Sequence, residues 1–231
     1  MGKKTSAIKA SDKDKAWNRH KTASRYKTSS RPVLKSILIV CEGQTEKIYF
    51  ESFPVLSVMT ECVDAKGRSK LALVDEVSKI INRKKGDGIK FDEVWCVFDM
   101  DFKHGQKECS DFDNAISSAQ DKKYKVAYSN DAFEIWYYLH YHYTDQGNHR
   151  RFYYQKLSGK WGFNYVKNGK KEDVCYETYN RLSCDKDACQ KRAISNAKKL
   201  HEKYLDNRYH SHNPVTTVYL LVEELNQYLA R

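Results

Sequence analysis

Two short acidic motifs, Glu42-Gly43-Gln44-Thr45-Glu46 and Asp99-Met100-Asp101, each directly follow an apolar run. Four hard oxygen ligands brought into one small volume suit Mg²⁺ or Mn²⁺, which prefer carboxylates and water to nitrogen or sulfur. Without a cation such a group repels itself. Divalent cations held this way commonly serve phosphate chemistry. Each acid also has a plainer reading. Glu42, where a strand gives way to a helix, is either a metal or acid/base group or an acid favoured by the helix dipole. Asp99 and Asp101, two residues apart, point the same way if strand geometry continues through them.

The runs before the motifs, Ile37-Leu38-Ile39-Val40-Cys41 and Val94-Trp95-Cys96-Val97-Phe98, read as buried strands. Strands of a parallel sheet carry functional groups at their C-terminal ends. Around these two strands the pattern predicts a helix from Thr45, as its cap, to about residue 53. A strand over 62–65 follows, then a helix over 71–82, a loop at 84–88, a helix over 112–120 and a strand over 125–128. Alternating strands and helices imply an α/β fold with a mostly parallel sheet flanked by helices. Ser129 then ends a strand, and Glu134 falls in the first turn of an aromatic helix over 132–141. That acid is either dipole-favoured or a further member of the acidic centre.

The texture changes after residue 141. Helices are expected across 151–183, broken near Ser158-Gly159 and Asn168-Gly169, and over 187–205. Asn213-Pro214 reads as the start of a last helix over 215–229. The organisation expected is therefore a basic arm (1–35), an α/β core (36–141) and a mainly helical C-terminal extension packed on it (142–231). The aromatics of 133–165 read mainly as helix-packing core. Tyr141, His142, Tyr143, His149, Arg150 and Arg151 look the most exposed, and Arg150 and Arg151 are the candidate nucleic-acid contacts.

Charge is unevenly spread. Residues 1–35 hold eleven Lys or Arg against Asp12 and Asp14, hence +9 of the chain's +11. Lacking apolar periodicity, the arm should be weakly ordered in isolation, serving as a polyanion-binding segment or a solubilising tail. No run reaches the length of a membrane span, and nothing resembles a secretory signal. Seven scattered cysteines, two inside expected core strands, suit reduced thiols and a cytoplasmic setting. Cys184 and Cys189 lack the spacing of a zinc-binding pair. No GxxxxGK[ST] loop is present, so the chain does not bind ATP in that way.

The order of apolar strand, Glu-Gly-Gln-Thr-Glu and helix, then apolar strand and Asp-x-Asp, resembles a Toprim domain, as found in topoisomerases, bacterial primases and overcoming-lysogenization-defect nucleases. The stretches ILIVCEGQTEKIYF (37–50), VWCVFDMDF (94–102), YSNDAFEIWYYLHY (128–141) and NPVTTVYLLVEEL (213–225) more closely resemble the RloB-like family, linked to abortive phage defence. The resemblance covers most of 36–229. It implies that Glu42 is the catalytic glutamate and that Asp99 and Asp101 are the metal-binding pair. Glu46 would be an extra acid able to support a second metal, and Ser129 and Glu134 would also face the metal site. Asp131-Ala132 stands where that family often has Pro or Cys. The basic residue that stabilises charge has no clear match; Lys103, Lys198 and Lys199 are candidates. The expectation is thus a Mg²⁺- or Mn²⁺-dependent nuclease of prokaryotic antiviral defence, acting on DNA or RNA, tRNA included. The resemblance also implies a separate ATPase partner, and a homo-oligomer is left open. The alternative is a non-catalytic nucleic-acid-binding or sensor subunit of a defence complex.

Overall fold

A computed structural model describes residues 35–62, 69–101 and 106–229. The basic arm up to residue 34, and Lys103, lie outside the described residues. Lys35 does not belong with the arm. Its ammonium contacts Glu93 and pairs with Glu224 at 2.7 Å, which ties it to the sheet.

Five strands form one sheet in the order β2-β1-β3-β4-β5. They are β1 (Ile37–Cys41), β2 (Val58–Cys62), β3 (Glu93–Asp99), β4 (Lys125–Asn130) and β5 (Val215–Thr216). The first four run parallel, and β5 lies antiparallel to β4. Both faces of β1 are covered, which explains its unbroken apolar sequence. Ile37, Ile39 and Cys41 point into one core, with Trp95, Val97 and Ala127. Leu38 and Val40 point into the other, with Cys96, Phe98 and Tyr128.

Helices α2 (Lys70–Gly86) and α3 (Gln106–Asp121) supply Leu73, Val77, Phe112 and Ile116 to the second core. The first core takes residues from α1 (Gln44–Glu51), α4 (Glu134–Leu139), α5 (Arg150–Trp161), α6 (Tyr165–Asn168), α7 (Glu172–Cys184), α8 (Gln190–His201) and α9 (Val218–Asn226). It is strongly aromatic: Phe133, Trp136, Tyr137, Tyr153, Trp161 and Tyr165 are all buried. Tyr141, expected on the surface, is buried too. Its hydroxyl donates to Asp185 at 3.0 Å and accepts from the Trp161 indole at 2.9 Å.

Several boundaries differ from the sequence reading for physical reasons. Gly43, not Thr45, caps α1. The second strand starts at Val58, before the expected residue 62, and residues 63–65 of the expected strand lie outside the described residues. α2 runs on through Lys84 and Lys85, whose charges suit a helix C-terminus. α5 continues through Ser158-Gly159 and ends only at Gly162, whose φ of 72° reverses the chain. Pro214 does not open a helix: Val215 and Thr216 pair with Asn130 and Ser129 as β5, and α9 starts at Val218.

Strand order explains where a site can form. From β1 the chain goes out to β2 on one side, then returns to lay β3 and β4 on the other. The C-terminal ends of β1 and β3 therefore diverge around a crevice, the usual place for a site in such sheets. Glu42 follows β1, Asp99 ends β3, and Glu134 opens the helix after β4.

Candidate metal centre

Glu42 extends the β1–β3 pairing by one step, its N–H donating to the Val97 carbonyl at 2.9 Å. A Cβ on Gly43 would press on the Glu46 carboxylate, so glycine leaves room for that carboxylate beside the strand end. Glu46 is buried, at 8% exposure. Glu134, at the first turn of α4, is buried at 3%, and the Tyr165 hydroxyl donates to its Oε1 at 3.2 Å.

Asp99 Oδ2 accepts the Phe133 N–H at 2.9 Å. Its Oδ1 and Glu46 Oε2 are buried with no hydrogen-bond partner among the described residues. A buried carboxylate oxygen left unsatisfied is costly and points to a missing cation or proton.

The electrostatics agree. Burial pushes Glu46 up to about 7, and the carboxylates of Glu134 and Glu42 push the same way, against Lys170. Burial raises Asp99 well above the ordinary carboxylate range, helped by Glu46, Glu134 and Glu42. Glu134 is raised by burial and eased by Lys170, Arg150 and Tyr165. Four of the predicted acids therefore act on one another in one place.

Asp101 behaves differently. The strand ends at Asp99, and Asp101 has a φ of 52°, so the expected strand geometry does not persist across the pair. Its N–H donates to the Asp131 carbonyl at 3.2 Å, and its carboxylate contacts the Arg150 guanidinium. Arg150 is thus turned inward, with its backbone N–H donating to Asp131 Oδ2 at 2.9 Å. Burial disfavours its charge, but Asp101, Asp131 and Asp99 more than compensate and raise its pKa. Arg151 stays exposed.

The other supporting residues fall elsewhere. Ser129 lies beside Asp99 in register, but its hydroxyl shares a hydrogen bond with Thr216 at 3.0 Å. Lys198 pairs with Glu223 on α9 at 2.7 Å, and Lys199 is exposed on α8. The cations that reach the acids are Lys70, Arg150 and Lys170. Lys70 is the closest fit: its ammonium donates to both Glu42 oxygens at 2.8 Å. Nothing in the spacing of the sequence signals that pairing, because Lys70 opens a helix that packs on the opposite face from α1.

Among the described residues, no three His, Cys, Asp or Glu side chains stand as a ready-made ligand set. The donor chemistry nevertheless fits a hard divalent cation: all-carboxylate, buried, and with two oxygens unsatisfied. No helix among the described residues is long and apolar enough to cross a membrane.

In comparisons with known proteins, no curated protein and no solved structure matches the chain. A family profile described as RloB-like protein matches residues 37–225, most of the chain, which therefore belongs to the RloB-like family.

Proposed function

We propose that this chain is a Mg²⁺- or Mn²⁺-dependent nuclease of the Toprim type, cleaving phosphodiesters of DNA or RNA in prokaryotic antiviral defence. The observation that carries the reading is the pair of buried, unpartnered oxygens, Asp99 Oδ1 and Glu46 Oε2, among mutually repelling carboxylates. Glu42, Glu46, Asp99, Asp101 and Glu134 would hold the cations. Bound there, the ions would polarise the phosphodiester and make a hydroxide nucleophile accessible near neutral pH.

The chain's own groups supply the rest. Before a cation binds, burial raises the Glu46 carboxyl to about 7, so it can hold a proton that the cation would displace. Arg150 carries a planar set of donors suited to a phosphate while keeping Asp101 neutralised. Lys70 offers a second cationic donor next to Glu42. Tyr165 holds Glu134 in place through its hydroxyl. A separate ATPase partner and a role in abortive infection are proposed on family resemblance.

The ion pairs Lys70–Glu42 and Asp101–Arg150 favour one other reading, in which protein cations neutralise the acids and the chain is a non-catalytic nucleic-acid-binding or sensor subunit. Substitution separates the two. Asp99→Asn keeps the acceptor for Phe133 N–H and removes one charge. It should abolish Mn²⁺-dependent cleavage of a mixed DNA and tRNA panel, and leave the metal-free melting temperature equal or higher. Full cleavage by the variant, or none by the wild type with either metal, refutes the nuclease assignment.

A further inference from the structure

Residues 150–171 contain seven Lys or Arg and no acid. They span α5, α6 and the turn into α7, and Tyr165 carries its hydroxyl from α6 to Glu134 of the acidic centre. Among the described residues, Arg151, Lys156, Lys167 and Lys171 have no ion-pair partner. A segment carrying charge of one sign, tied through Tyr165 to a buried centre of the other, fits a polyanion that must reach that centre.

The same hairpin carries a shallow groove, nearly flat and wide open to solvent. Its walls include Phe163 and Val166, the latter 61% exposed, and two amide side chains, Gln155 and Asn164. Its floor includes Gly159 and Gly162. Gly162 needs its glycine for a φ of 72°, but Gly159 does not. It sits inside α5, where glycine weakens a helix, and a Cβ there would meet nothing within 4 Å. Packing gives no reason for the glycine; close approach of a ligand to the helix backbone does. The groove borders Tyr165: Ser158 in its lining accepts the Tyr165 N–H at 2.9 Å and donates to the Tyr154 carbonyl at 2.7 Å.

We infer that this groove receives unpaired bases of a single-stranded nucleic acid, with the basic residues of α5 and α6 tracking its phosphates towards the acidic centre. The inference rests on the nuclease reading and names its substrate class. Unpaired bases can lay their faces on Phe163 and Val166 and their edges on Gln155 and Asn164. A duplex keeps its bases stacked inside and can use only the charge.

Binding is measured in EDTA, by fluorescence anisotropy, with labelled single-stranded RNA and DNA, the matching duplexes, and polyglutamate as competitor. Gly159→Leu fills the groove with a better helix former, so its melting temperature should equal or exceed that of wild type. It should weaken single-strand binding about tenfold or more, the loss expected for one stacked base, while duplex binding changes little. Phe163→Ala should repeat the pattern. Undiminished single-strand binding by Gly159→Leu overturns the inference, as does an equal loss on duplex. Polyglutamate displacing the single strand as well as unlabelled strand does would show a charge patch only and also overturn it. Hydrolysis of bis(p-nitrophenyl) phosphate by wild type with Mn²⁺ tests the underlying nuclease reading separately. Its absence sinks that reading whatever the anisotropy shows.

Discussion

Glu46→Gln tests the buried cluster most directly. The Glu46 carboxyl is raised from its ordinary 4.5 to about 7, chiefly by burial and secondarily by Glu134 and Glu42. The folded protein therefore holds this proton more tightly than the unfolded chain. Stability from this group is fully present below pH 4.5 and is lost as pH rises through about 7. At about 1.4 kcal/mol per pH unit, the full loss is about 3 kcal/mol, most of it between pH 5 and pH 8. Glutamine has nearly the same shape and does not titrate. In urea unfolding with EDTA, the variant should match wild type at low pH and exceed it by about 2 to 3 kcal/mol at pH 8. Asp99 and Glu134 remain in both proteins, so the residual slope keeps its sign, and the difference reports Glu46 together with its repulsion of Asp99. Saturating Mg²⁺ should stabilise wild type at pH 8 and the variant much less, since a cation that binds only the folded state adds to its stability. Parallel stability curves for the two proteins from pH 5 to pH 8 would refute the argument that burial and the neighbouring acids hold the Glu46 proton in the folded protein.

Two further outcomes follow from the same geometry. Lys70→Gln removes the cation that both Glu42 oxygens now accept; divalent-ion binding by calorimetry should tighten roughly fivefold, the equivalent of about 1 kcal/mol, and unchanged affinity would show that the ammonium does not compete for Glu42. Removing residues 1–34, while sparing Lys35 on Glu93 and Glu224, takes away ten Lys or Arg and two acids; nucleic-acid binding should weaken with a shallower salt dependence, and an unchanged slope would make the arm a solubilising tail.

The parts of the fold that were legible in the sequence are those where a buried strand runs straight into acids. β1 and β3 each combine an unbroken apolar run with a charged end, so both the strand and the site position show in the residue order. Glu134 was legible from its place after a strand end only as one of two alternatives, and family resemblance chose between them, because one acid in a first turn looks the same whether it serves a dipole or a cation. β5 was missed because two residues carry no periodicity, and Asn213-Pro214 resembles a helix start. The cations at the acids were illegible for a different reason. Lys70 and Arg150 reach Glu42 and Asp101 only after the chain closes in three dimensions, and a lone Lys or Arg at a helix start carries no mark of its partner. The aromatic stretch was read correctly as core in the main, but Tyr141 and Arg150 were placed outside when both turn inward.

β5 has a consequence for how the protein is made. Thr217 donates its N–H to the Tyr128 carbonyl at 2.8 Å, its hydroxyl accepts the Tyr128 N–H at 2.9 Å, and the Thr216 and Ser129 hydroxyls share a hydrogen bond. The outer edge of β4, just before the turn to Glu134, is thus hydrogen-bonded by residues near the end of the match to the family. On a ribosome, β4 emerges long before those residues exist. Until they arrive it is an open strand edge, and the loop that sets Glu134 lacks its lateral support. The acidic centre is therefore completed only once residues 215–217 have been made. Synthesis that stops short of residue 215 should yield a chain without the proposed activity, and without a safe sheet edge.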